Sequence, residues 1–353
     1  MPSPGLAADL LSRVTTREPL VADDGKSGNS LERIEVDGTH YVVKHQSVAG
    51  DWLTRLAGDP HFWVHQVWQS GLMAALPVSI DHAVVDMVVE GTGPSAALII
   101  VMDDVSDSLI PEGDDPISVA DHAALVESMA ALHATFWDWH DDLGLQTLGQ
   151  RVAMFAPETI APELLVDDVP VPVRFADEGW RRLPDVAPAL ASVVDALHAD
   201  PTPLLDAWAS TPTAFLHGDW KMGNLGRRPD GRTILLDWAY LGAGPATWDL
   251  CWYLALNRAR LPETKEQTIE RYRLALEADG IATGGWFDHQ LGLSLIGMMS
   301  VFGWEKALGD ATELAWWEAR VIEASPDLDR RLDRRLDRRG ERRAESVRPR
   351  GPR

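Results

Sequence analysis

Cysteine is nearly absent. Cys251 is the single one among 353 residues, so no disulfide can close within the chain and a reducing, cytoplasmic setting is expected. Long apolar runs are missing too. Stretches such as Ala96 to Met102 fall far short of the roughly 20 residues a spanning helix needs, so no membrane partner is expected. The start of the chain carries no basic stretch followed by an apolar core, the signature of a secretory leader. Basic residues are scarce: 32 Lys and Arg stand against 54 Asp and Glu, for a net charge of −22. Eleven arginines are packed into Asp327 to Arg353, where the local charge is +5, which leaves −27 on the rest. So acidic a body repels nucleic-acid phosphates and attracts small cations.

Several chemistries lack their signatures. Gly25-Lys26-Ser27 would need a glycine five positions earlier to make a P-loop, and Leu20 stands there. His61 and His65 are one helical turn apart, but Phe62 occupies the position where a zinc-protease helix places glutamate. Gly91-Thr-Gly93-Pro-Ser-Ala96 contains proline and leads into a strand-like segment, which excludes a dinucleotide fingerprint. No G-x-S-x-G elbow occurs.

What is present reads as two lobes. Residues 5–14 are predicted as a short amphipathic helix. Leu31 to Val36 and Tyr41 to Lys44 alternate as strands about an Asp37-Gly38 turn. A helix is expected over 60–76 and strands over 83–90 and 96–102. From Ser118, a candidate N-cap, the pattern turns helical: 118–139, 185–209, 262–279, 286–303 and 311–324. Residues 155–175, rich in proline and acid, are expected to be irregular. Short β-like runs lie at 214–216 and 233–236. This gives three segments: 1–103 as a β-rich lobe, 104–326 as a helical lobe, and 327–353 as a helical or disordered tail. In that tail Asp329, Asp333 and Asp337 recur every four residues among arginines. Most of the fifteen tryptophans are assigned to core packing.

The segment with the most chemistry is His217-Gly218-Asp219-Trp220-Lys221-Met222-Gly223-Asn224, entered from the apolar run Ala214 to Leu216. A second apolar run, Ile234 to Leu236, ends at Asp237. Two carboxylates and an amide therefore stand at the ends of short strands. Phosphoryl transfer requires such hard oxygen groups, to orient an acceptor hydroxyl and to hold divalent ions against phosphates.

These residues resemble the catalytic loop of the aminoglycoside phosphotransferase and choline-kinase-like family of small-molecule kinases. In that loop glycine separates the histidine from the aspartate, where protein kinases usually place arginine. Gly244-Pro-Ala-Thr-Trp-Asp249-Leu is similar to the stretch that follows in the family. The resemblance implies an α+β, bilobal, protein-kinase-like fold with a small β-rich N-lobe and a larger, mainly helical C-lobe. It implies Asp219 as catalytic base, Lys221 steadying the transferred phosphate, and Asn224 and Asp237 as magnesium ligands. His217 and Asp249 would brace the loop. Upstream, Lys44 sits in an apolar strand after the polar loop Ser27-Gly28-Asn29-Ser30. By the same resemblance the loop covers the phosphates of ATP, Lys44 reaches the α- and β-phosphates, and the backbone of Met102, Asp103 and Val105 holds adenine.

One departure stands out. Between Glu35 and Glu90 there is no glutamate to pair with Lys44, and Asp51 or Asp59 is the expected substitute. The implied activity is transfer of the γ-phosphate of Mg-ATP to a hydroxyl of a small molecule: an aminoglycoside, amino sugar, sugar or related metabolite, with charge favouring a cationic acceptor. A non-catalytic nucleotide-binding protein and a protein kinase are the alternatives. The step of twelve positions from Asp237 to Asp249 leaves no room for a long activation loop. Oligomeric state is left open.

Overall fold

A computed structural model describes residues 5–20 and 29–326. Ser27 and Gly28 of the expected phosphate loop, and the Asp/Arg tail, lie outside the described residues. The chain opens with helix α1 (Leu6–Ser12) and strands β1 (Thr16–Leu20), β2 (Ser30–Val36) and β3 (Thr39–Ser47). Short helices α2 (Trp52–Ala57) and α3 (Trp63–Ser70) follow, then β4 (Ile80–Asp81), β5 (Val84–Glu90) and β6 (Ala97–Asp103). Five strands form one antiparallel sheet in the order β1-β2-β3-β6-β5. Strand alternation explains how both faces are used. Ile99 and Val101 of β6, with Ile34, Val36 and Val43, pack under Ala7 and Leu10 of α1. Leu98 and Ile100 face the other way, into the core with Leu56 and Val67. Val43 points to the α1 face, so Lys44 points to the opposite one.

The rest is mainly helical: α4 (Val119–Thr135), α5 (Leu148–Ala153), α6 (Pro157–Ile160), α7 (Val171–Val186), α8 (Pro188–Ala199) and α9 (Thr202–Trp208). Strands β7 (Ala214–Leu216), β8 (Leu225–Arg227), β9 (Thr233–Leu235) and β10 (Gly242–Gly244) come next, then α10 (Thr247–Leu256), α11 (Lys265–Ala278), α12 (Phe287–Leu308) and a final helix, α13, running from 311 to the last described residue, 326. The strands make two small sheets, β10-β7 and β4-β9-β8. β4 lies parallel to β9 and so ties the N-terminal region to the strand that precedes Asp237. Most side chains of α10 and α12 are buried; these helices show little amphipathic pattern because other helices pack on several sides of them. Among the described residues no helix is long and apolar enough to cross a membrane.

The expected N-terminal strands, the turn at Asp37-Gly38 (φ 53° and 78°) and the Ser118 cap, which accepts the Asp121 N–H at 3.0 Å, are present. Four expectations need correction. β1 and α2 were not anticipated, since each is short and neither shows a clear period. The helix expected over 60–76 is α3 followed by a 3-10 turn, broken by Gly71 at φ 82°. The helix expected over 185–209 is two helices, because Pro201 interrupts the hydrogen bonding between α8 and α9. The excursion expected over 155–175 contains α6, a 3-10 turn at Ala161–Leu165 and the start of α7. Its prolines sit in first turns, where no N–H is missed.

Candidate active site

β7 is wholly buried and delivers His217, Gly218 and Asp219 to the mouth of the cleft below the five-stranded sheet. Gly218 has φ +83°, and a Cβ there would lie 2.2 Å from the Tyr240 carbonyl oxygen and 2.6 Å from Nη1 of Arg151. Only glycine satisfies both the backbone conformation and the space. His217 is committed at both ring nitrogens: Nδ1 accepts the Asp219 N–H at 3.2 Å and Nε2 donates to the Leu236 carbonyl at 3.0 Å. Its ring packs against Trp238 at 4.7 Å. Burial lowers its pKa against the pull of Asp249, Asp219 and Asp237. A neutral imidazole with both nitrogens occupied is a brace and not a proton acceptor.

Asp219 is 4% exposed in its side chain and is held at both oxygens. Oδ1 accepts the indole N–H of Trp252 at 2.9 Å, and Oδ2 accepts the Asn224 amide at 2.8 Å. The Lys221 ammonium lies 3.3 Å from Oδ2. The Asn224 amide also donates to the Asp219 carbonyl at 3.0 Å, so the nitrogen is spent and the amide oxygen is left to coordinate. Asn224 and Asp237 are brought together by the β8–β9 pairing and by the Leu236 N–H, which donates to the Asn224 carbonyl at 2.8 Å.

Asp237 leaves its strand through a left-handed turn, φ 58°, an uncommon conformation for a non-glycine residue that aims its carboxylate into the cleft. There Oδ1 meets Nζ of Lys44 at 2.7 Å, a contact spanning 193 positions of sequence. Burial raises the Asp237 carboxyl, but the Lys44 and Lys221 ammonium groups outweigh it and hold the pKa at about 2. The expectation that Asp51 or Asp59 holds Lys44 is therefore corrected: its partner is Asp237. Asp51 is spent capping α2, where it accepts the Leu53 N–H at 2.9 Å and the Thr54 hydroxyl at 2.7 Å, and it binds the Asn29 amide at 3.0 Å. Asp59 accepts the N–H of Trp63, the first residue of α3, at 2.9 Å. Asn29, Lys44, Asp51, Asp59, Asp237 and Tyr240 nevertheless line one small polar cavity.

Asp249 grips the loop from behind. Its oxygens accept the His217 and Gly218 N–H groups, both at 2.9 Å, and it lies 3.2 Å from His133. Burial raises this carboxyl; hydrogen bonding and charge from His133, then His217 and Arg151, more than compensate and keep its pKa low. At the edge of the sheet, Met102 and Asp103 end β6 beside β3. The Asp103 N–H is taken by the Ala83 carbonyl, and the Val105 carbonyl by the Ser108 N–H. Val105 is buried where the chain leaves the sheet. Ser30 begins β2 opposite His45.

Sequence reasoning missed three residues here. Trp252 binds the Asp219 carboxylate. Asn257 accepts the Met222 N–H at 2.8 Å and donates to the Trp220 carbonyl at 3.3 Å. Arg151 is buried against Gly218. The i, i+3 and i+8 spacing of Asp249, Trp252 and Asn257 places all three along α10 and its end, a signal hidden in an otherwise apolar helix.

Among the described residues no three or more His, Cys, Asp or Glu side chains cluster as a metal centre. The donor set at the cleft is two carboxylates and an amide oxygen, hard ligands of the kind magnesium prefers. Residues 26–283 match the model of the phosphotransferase enzyme family known as APH. The chain belongs to that family. It is thus a phosphotransferase of the APH type. Comparison with curated protein sequences finds no match. Among solved structures, a microcompartment-associated aminopropanol kinase is similar at 12% identity and TM-score 0.51, covering 94% of this chain and 98% of its own. LicA in complex with AMP gives 13% identity and TM-score 0.51, covering 90% and 92%. The choline kinase LicA from Streptococcus pneumoniae gives 13% and 0.48, covering 92% and 97%. At these identities the likeness is one of fold.

Proposed function

We propose that this APH-family phosphotransferase is a small-molecule kinase that moves the γ-phosphate of Mg-ATP to a hydroxyl of its acceptor. The observation that carries the reading is the contact of Lys44 in the sheet with Asp237 at 2.7 Å, beside a loop in which Asn224 holds Asp219 at 2.8 Å. Asp219 orients the acceptor hydroxyl and takes its proton. Lys221, beside that carboxylate, steadies the phosphoryl group in passage. Asn224 and Asp237 hold magnesium, which supplies charge neutralisation between the phosphates. Lys44 turns from Asp237 to the α- and β-phosphates, with Asn29 and Ser30 on the sheet side of them. The segment Met102 to Val105 holds adenine at the boundary between a sheet lobe ending at residue 103 and a helical lobe beginning at 104. Catalysis rests on positioning and charge in a partly dry cleft.

The acceptor follows from charge. With −27 outside the arginine-rich tail, the body attracts cations, and amino alcohols, amino sugars and aminoglycosides form the panel to test. Nucleotide consumption is measured against that panel for the wild type and Asp219→Asn. Loss of about 100- to 10,000-fold in kcat for the variant is expected of a general base. Wild-type turnover in Asp219→Asn would remove the base assignment.

A further inference from the structure

We propose that Trp252 is a positioning residue for Asp219; the proposal rests on the reading of Asp219 as the base. A carboxylate held at one oxygen still rotates about its final torsion, and a base that rotates is misaligned for much of the time. Here the two oxygens are held by different donors from different elements. Asn224, in the loop itself, donates to Oδ2 at 2.8 Å, and Trp252, on α10, donates to Oδ1 at 2.9 Å. The plane of the carboxylate is fixed only when both are present.

Trp252 is itself held rigidly. It is 4% exposed, its ring meets Phe302 of α12 edge-on at 4.7 Å, and it lies 6.0 Å from the ring of Tyr240. Asp249 stands one turn earlier on α10 and holds the His217 and Gly218 N–H groups. One helix thus sets both the backbone of the catalytic loop and the side chain it presents. Indole suits this position because it donates one hydrogen bond, accepts none and does not titrate, so it cannot take the acceptor's proton in place of Asp219.

The test is a double-mutant cycle in the phosphate-transfer assay. Trp252→Phe keeps an aromatic ring against Phe302 and removes the donor. A fall of about 10- to 100-fold in kcat is expected, with KM for ATP and acceptor within about twofold. In the Asp219→Asn background the same substitution should cost less than about twofold, because there is no base left to align. Phe302→Leu loosens the ring contact and keeps the N–H; it should lower the melting temperature with kcat within about threefold of wild type. If Trp252→Phe turns over at the wild-type rate while Asp219→Asn does not, Trp252 has no positioning role and the base assignment stands. If Trp252→Phe loses activity equally in both backgrounds, or Phe302→Leu loses as much kcat as Trp252→Phe, the effect is packing and the proposal fails. Wild-type rates in Asp219→Asn would overturn the base reading itself.

Discussion

Gly218 shows how a single residue position decides the local chemistry. Its place between His217 and Asp219 was legible in the sequence as a motif, but the reason for it was not. The left-handed backbone and the Tyr240 carbonyl 2.2 Å from where a Cβ would sit come from β10 and its approach, which appear in no local pattern. Gly218→Ala is expected to cost about 2 to 4 kcal/mol, from the conformational penalty together with overpacking against backbone. Urea unfolding checks this, and a loss below about 0.5 kcal/mol would mean that the loop shifts freely. The oxygen set of Asp219, Asn224 and Asp237 was likewise readable, because strand-end polar residues after apolar runs announce themselves. The partner of Lys44 was not. A contact across 193 positions leaves no trace in spacing, and the nearby acids Asp51 and Asp59 are spent on N–H groups at helix starts.

At the scale of elements, the short helices of the N-terminal region illustrate both what pattern reveals and what it hides. Just before α3 stands Asp59, whose carboxyl is buried and whose pKa rises to about 6 despite the N–H groups of Trp63, His61 and Phe62 that favour its charged form. An acid with a raised folded-state pKa binds its proton more tightly in the folded protein, so its contribution to stability is greatest at low pH and is lost as pH rises from about 4 to 6. Between about pH 5 and pH 7 the wild type should therefore lose about 1 kcal/mol relative to Asp59→Asn, whose amide does not titrate. Unfolding curves for the pair at the two pH values test this; a difference that does not change with pH would contradict the raised pKa. Strand alternation and the Ser118 cap made the sheet and α4 readable. α10 gave no amphipathic signal because it is buried on all sides, and for that reason Trp252 and Asn257 were passed over as core.

At the scale of the molecule, the sheet and helical regions are joined by more than the chain between them. Arg55 of α2 reaches the 3-10 turn after α6 and grips Glu163 with two hydrogen bonds of 2.7 Å each, the carboxylate being only 7% exposed. Asp51, which caps α2, also holds Asn29 at the described edge of the expected phosphate loop. α2 therefore connects the start of β2 to the turn after α6. Arg55→Met should destabilise the protein by about 1 to 3 kcal/mol, less than for a fully buried pair because the arginine is a third exposed. It should also raise KM for ATP more than kcat falls. Thermal melts and steady-state kinetics report the two effects, and an unchanged melting temperature would show that the pair is not a tie between the regions. A sheet region followed by a helical region was legible from the strand-like runs up to 102 and the helical pattern that starts at Ser118. The helices between 157 and 186 were not, because Pro157, Pro162, Pro170 and Pro172 resemble loop residues although they sit at the starts of their helices.

The central claim is that Asp237 and Asn224 hold magnesium against ATP in the cleft closed by Lys44. Calorimetric titration of ATP with and without magnesium, on the wild type and on Asp237→Asn, tests it most directly. Tight binding to the wild type that requires magnesium, and that Asp237→Asn loses, is the expected result. Binding that ignores both the metal and the substitution, or no binding in any arm, would contradict it.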